Sequence, residues 1–238
     1  FRFYAHFGRG APDAAALKAC KAAAAQIRKL SPERIRMEVL KLFESDRCAE
    51  VWTLMLQQGI VTHFLPEATN IKTLENLVRL ETARGEAGLP LRRLAAVLDV
   101  TVNGLKDIVA GLRLSNEQAA YLLRMLNPGM EVSMRMTDAA VRTLVYRLGN
   151  DLARSLLLLV AAKSGGEAQL PPLYQVATTF RAPRFPLTGE DALKLGLAPG
   201  PDVGALLGKV ETWWTDADFT PPRAECLQKM EEVFGTKR

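Results

Sequence analysis

Three groupings of residue types in this chain could in principle do chemistry. Asp216-Ala217-Asp218 has the carboxylate spacing that a two-metal nucleotidyl-transfer site uses. No Gly-Ser phosphate turn precedes it and no third carboxylate shares its loop, so it reads as the solvated cap of the last helix. His63 stands alone between apolar neighbours, with no acid or nucleophile in sequence reach. It reads as a packed or surface-bridging residue rather than a catalytic one. Cys20, Cys48 and Cys226 form no CxxC pair, and His6 and His63 complete the histidines, which argues against a structural zinc. The expectation for catalytic and metal-ligating residues is none.

The cations are more informative. Residues 1–47 hold ten Lys/Arg against five acids, whereas the remainder holds 21 of each sign. The net charge of +5 therefore lies in the first fifth of the chain. A concentrated positive field is the footprint of a polyanion partner, although an ordinary solvated helix face has the same composition. Arg2, Arg9, Lys18, Lys21, Arg28, Lys29 and Arg36 are the candidate RNA contacts here. On a wheel of about 100° per residue, Lys18, Lys21, Arg28 and Lys29 share roughly one quadrant beside the stripe Leu17, Cys20, Ala24 and Ile27.

The elements that must position these residues are helices. The spacing predicts one Ala-rich helix from Asp13 to Leu30. A sharply marked one follows, with Ser31 as cap, Pro32 at the first position and Glu33 in the first turn. Ile35, Val39, Leu42 and Phe43 form its apolar stripe, and Arg34, Glu38 and Lys41 its charged face. Asp46 to Gln58 is a further amphipathic helix ended by Gly59. From Thr69 to Gly166 helix follows helix, with a capping box at Ser115–Gln118 and a buried centre at Leu156–Val160. Period-2 alternation worth assigning to a strand is absent. Pro171, Pro172, Pro183 and Pro186 mark residues 167–186 as an extended boundary.

A second informative stretch runs from Phe185 to Leu207. Thr188 caps a short helix that ends at Gly196, and Pro199-Gly200-Pro201-Asp202-Val203-Gly204 opens another. A Gly-rich turn between helices can offer N–H groups to phosphate, and Gly204 can admit a close backbone; a merely well-capped turn fits the spacing equally. Lys194, Gly200, Gly204 and Lys209 are the candidate RNA contacts of this stretch. Trp213-Trp214 can stack bases or anchor a small core.

The order of these motifs resembles the class II tRNA nucleotidyltransferases, the family of CCA-adding enzymes and bacterial poly(A) polymerases. The resemblance rests on Arg2-Phe3-x-Ala5-x-Phe7-Gly8, Leu30-Ser31-x-Glu33-Arg34-Ile35-x-x-Glu38, Gly59-Ile60 with Leu65-Pro66-Glu67, and Pro186-Leu187-Thr188-Gly189-x-Asp191 through Gly204. It is strong over residues 1–67 and 185–207 and weak across 70–165. It implies an all-α, elongated multi-helix array: a neck with the RNA-binding region at 1–67, a helical body at 68–166, a Pro-rich connection at 167–186 and a helical tail at 187–238. Glu33, Arg34 and Glu38 match the neck motif that braces a nucleotide site. The family's catalytic head, with its metal-binding Asp pair and its nucleotide-selecting motif, has no counterpart in these residues.

The resulting expectation is the RNA-binding, non-catalytic part of a CCA-adding enzyme that extends tRNA 3′ ends, a piece of a longer or trimmed protein. Its partners are tRNA or other RNA and the missing head. No cofactor belongs to this stretch, and Mg with CTP and ATP belongs to the whole parent. The same part of a poly(A) polymerase is one alternative, and a stand-alone helical interaction module another. No run is long and apolar enough for a membrane span, and three dispersed cysteines suit a reducing, cytoplasmic setting.

Overall fold

The computed structural model describes residues 1–235 and is all-α. Strand-type pairing among the described residues is limited to one antiparallel bridge between Ala68 and Leu98. The helices are α1 (Arg2–Phe7), α2 (Ala14–Ala23), α3 (Pro32–Phe43), α4 (Cys48–Gln57), α5 (Ile71–Arg84), α6 (Pro90–Val97) and α7 (Val102–Gly111). They continue as α8 (Asn116–Leu126), α9 (Asp138–Leu148), α10 (Asn150–Ser164), α11 (Leu170–Thr179), α12 (Gly189–Lys194), α13 (Pro201–Asp216) and α14 (Arg223–Gly235). Two 3₁₀ segments, Ala24–Lys29 and Val61–His63, complete the set. The contacts divide the chain into two units, which cut across the four sequence segments expected above: Phe1–Arg135 with Ser155–Pro171, and Met136–Arg154 with the chain from Pro172 onward.

In the first unit the helix starts follow local chemistry. Ser31 Oγ accepts from the Arg34 N–H at 3.3 Å, and Ser115 and Gln118 close a reciprocal capping box. Gly85 ends α5 in the left-handed region at φ 65°, where a side chain would be strained. The apolar faces bury Phe43 against Trp52, with ring centroids 4.8 Å apart, and the Trp52 indole N–H donates to the Ala68 carbonyl at 3.0 Å.

The same core contains charge. Glu81 of α5 accepts from both Arg92 Nε and Arg93 Nε of α6 at 2.7 Å, and all three side chains are 1% exposed. Arg93 Nη1 also donates to the Phe43 and Ser45 carbonyls at 2.7 and 2.9 Å, pinning the C-terminal end of α3 to α5 and α6. Gly88 makes room for this: a Cβ there would lie 2.2 Å from the Arg93 guanidinium carbon.

The second unit is centred on Leu187, Ala192, Leu206, Val210, Trp214, Cys226 and Met230. The Trp214 indole N–H donates to the Pro221 carbonyl at 3.0 Å, so this tryptophan is a core anchor, while Trp213 is half-buried beneath the Lys229 ammonium. Asp191 closes a capping box with Thr188 and pairs with Arg223 of α14 at 2.6 Å.

Several expectations need correction. The Asp13–Leu30 helix is α-helical only to Ala23 and 3₁₀ thereafter. The tighter segment advances about 120° per residue, so by its end the wheel position of Lys29 has moved roughly a third of a turn. Residues 170–179 are helix rather than extended chain, because Pro171 and Pro172 fall in a first turn whose N–H groups lack intrahelical partners anyway. Asp218 caps no helix: it turns back at φ 54° and forms a two-pronged ion pair with Arg142 of α9, at 2.7 and 2.6 Å. A Cβ at Gly204 would meet nothing within 4 Å, so among the described residues no segment approaches closely there.

Candidate nucleic-acid interface

The basic N-terminal segment is mounted on α3. Helix α1 is tied to it and to α4 at several points. Arg2 Nε meets Glu38 at 3.1 Å, and a His6 ring nitrogen lies 2.7 Å from the Lys41 carbonyl. Ser45 Oγ donates to the Ala5 carbonyl at 2.7 Å. Arg47 reaches the Gly8 carbonyl and holds Glu50 through two hydrogen bonds. Of the sequence-predicted contacts, Arg2 is therefore engaged with Glu38, and Arg36 donates to the Arg113 carbonyl.

Arg9, Lys18, Lys21, Arg28 and Lys29 differ. All five are exposed and, among the described residues, make no ion pair. Lys18 to Lys29 extends for about 20 Å along α2 and the 3₁₀ segment. Helix α2 buries no residue, which leaves these cations open to solvent, with Lys29 turned off the face that Lys18, Lys21 and Arg28 share. Such an unneutralised set can displace counterions from a phosphate backbone without reading sequence.

The three motif residues of α3 have separate environments. Glu33 pairs with Arg113 at 2.7 Å, and that guanidinium holds its carboxyl below the usual range. Glu38 meets Arg2. Arg34 is exposed, forms no ion pair among the described residues, and borders an apolar cavity of about 310 Å³ lined by residues such as Cys20, Ile27, Val39, Trp52 and Phe64.

In the second unit, Lys194 and Lys209 are exposed and unpaired among the described residues. The turn at Gly200 is a poor anion cradle. Pro201 has no N–H, the Val203 N–H bonds the Gly200 carbonyl at 3.2 Å, and Asp202 adds a carboxylate to the first turn. Arg223 and the Thr188 N–H instead hold Asp191 well down, at a pKa of about 2, so this motif's charged groups serve the fold.

The residues present do not fit a divalent ion. No group of three His, Cys, Asp or Glu among the described residues could hold one, and Asp218 is occupied by Arg142. Sequence reasoning passed over Arg113 and the Glu81–Arg92–Arg93 cluster. Adjacent arginines ordinarily signal a solvated face, and nothing in Gly111-Leu112-Arg113 marks a special backbone.

Comparison with known proteins is consistent with this geography. Residues 11–72 match a family model described as the probable RNA- and SrmB-binding site of polymerase A. The chain is 24% identical over 245 residues to mouse mitochondrial CCA tRNA nucleotidyltransferase 1, covering 98% of this chain and 54% of that protein. It shares its fold with the Bacillus stearothermophilus CCA-adding enzyme solved with CTP, at a TM-score of 0.71 and 18% identity over 99% of this chain and 60% of that one. For the Thermotoga maritima CCA-adding enzyme complexed with tRNA the TM-score is 0.60 and the identity 19%, over 98% and 59%. The chain thus spans a little over half the length of these relatives.

Proposed function

We propose that these 238 residues, which are like the C-terminal portion of class II CCA-adding enzymes and poly(A) polymerases, bind tRNA and leave nucleotide transfer to a catalytic head. One observation carries the reading. The stretch matching an RNA-binding family model is the stretch in which Lys18, Lys21, Arg28 and Lys29 stand exposed and unpaired. Their recognition is of phosphate, so shape rather than base identity selects the RNA. Phe3 and Phe7, 68% and 75% exposed on α1, are the surface we assign to the head. Mg, CTP and ATP would serve that head and not the residues described above. Cytoplasmic residence is part of the same proposal, tested by fractionating cells against mitochondria.

The test is retention of tRNA by the purified chain across an ionic-strength series. With five free cations engaged, log K should fall with log salt at a slope of about −4. Undetectable retention at low salt, or retention indifferent to salt, overturns the binding proposal. The family description also names polymerase A, which keeps a poly(A) parent as the second reading. Adding a separately expressed head and sequencing the extended 3′ ends separates CCA from a run of A.

A further inference from the structure

Helix α3 is held very differently at its two ends. The C-terminal end is locked by the buried Arg93 guanidinium on the Phe43 and Ser45 carbonyls. The N-terminal half is flanked by the apolar cavity and reaches Arg113 through exposed groups: Glu33 takes the guanidinium, and Arg36 donates to the carbonyl. Arg113 thus answers α3 with both its side chain and its backbone.

The backbone at Arg113 explains how. Helix α7 ends in a paired motif in which the Arg113 N–H bonds the Ala110 carbonyl at 3.1 Å and the Leu114 N–H bonds the Val109 carbonyl at 3.1 Å. This closure puts the residue after the cap in the left-handed region, a place that favours glycine. Arg113 occupies it at φ 46°. A residue with a Cβ bears a conformational penalty there, and glycine would relieve it at the loss of the guanidinium.

We propose that Arg113 is a positioning residue of the RNA interface: its clasp on Glu33 and Arg36 sets the direction of the N-terminal half of α3, and through the Ser31 corner that of Arg28 and Lys29. The inference rests on the RNA-binding reading above. Arg28 and Lys29 lie three and two residues before Ser31, so a pivot of α3 about its pinned end moves them directly.

Two variants of the full chain test this, by amide hydrogen exchange and by tRNA binding. Arg113→Gly keeps the left-handed turn and the carbonyl acceptor but deletes the guanidinium. Glu33→Gln removes one negative charge. The clasp predicts that exchange of amides 34–37 accelerates about tenfold in both, with amides 40–45 unchanged. Each variant should bind tRNA three- to tenfold more weakly at an unchanged salt slope, and the double variant no more weakly than either. Charge alone predicts the opposite for Glu33→Gln, since loss of an anion beside a basic stripe strengthens RNA binding. Unchanged exchange at 34–37 overturns the clasp. Accelerated exchange with undiminished tRNA affinity in Glu33→Gln overturns the positioning role, as does a slope reduced by about one in Arg113→Gly, which would make Arg113 a phosphate contact. Absence of tRNA binding by the unaltered chain overturns the proposed function and the positioning role with it, while the exchange result still decides whether the clasp exists.

Discussion

At the scale of single residues, the decisive group in the first unit is a buried carboxylate. Glu81 faces two guanidinium groups that are as buried as it is. The second positive charge is met by the exposed Asp46, 3.6 Å from Arg93, and by the carbonyls of Phe43, Ser45 and Ala87 and the Ser155 hydroxyl. Removing the carboxylate leaves two desolvated cations facing one another, which costs far more than the pair contributes over an apolar substitute. Glu81→Ala should therefore lower unfolding stability by about 3–5 kcal/mol, a large share of the 5–15 kcal/mol typical of a domain. Urea titration checks it through a fall in midpoint at unchanged slope. A loss below about 1 kcal/mol would mean that the arginines find other partners.

At the scale of elements, helix junctions are held by caps that double as ion pairs. Asp191 receives the Thr188 N–H at 2.9 Å, starting α12, and the Arg223 guanidinium at 2.6 Å, fastening α14. These hydrogen bonds depress its pKa from 3.8 to about 2. Because the folded value lies below the unfolded one, the contribution is complete above about pH 4 and disappears as the pH falls toward 2. Asp191→Ala should destabilise the second unit by about 2 kcal/mol at pH 7 and by much less at pH 2. Monitoring near-ultraviolet dichroism of the buried Trp214 against pH in both proteins shows the convergence. Parallel acid curves would remove Asp191 from the account.

At the scale of the whole molecule, charge is sorted into two classes. Buried or paired cations such as Arg93, Arg142 and Arg223 build the units. Arg9, Lys18, Lys21, Arg28 and Lys29 build nothing in the fold and leave a field. Changing these five to glutamine takes the formal net charge from +5 to zero. Since exposed, unpaired side chains contribute little to stability, the melting temperature should shift by less than about 3 °C while tRNA affinity and its salt slope collapse together. A variant that melts much earlier would show these residues to be structural. One that retains tRNA with its salt slope intact would move the interface elsewhere.

What the sequence by itself determined was local. Ser31-Pro32, the Ser115–Gln118 capping box, Gly85 and the apolar stripes act over one or two turns, so these helices and the helical character of the chain were legible from spacing, whereas the helix at 170–179 and the 3₁₀ turn after Ala23 were not. The excess of cations in residues 1–47 was equally plain, as were the ordered motifs that carry the family resemblance. Tertiary structure decided which charges remain available. Arg2, Arg36 and Lys18 look alike in a string, yet partners 36 and 77 residues away occupy the first two and leave the third open. It also decided that Arg92 and Arg93 lie inside, since only a carboxylate delivered by another helix makes such burial tolerable. Arg113 belongs with these: its left-handed backbone acquires meaning only when folding brings Glu33 and Arg36 to it. Pairing energies of this kind depend on residues far apart in sequence, and no local pattern encodes them.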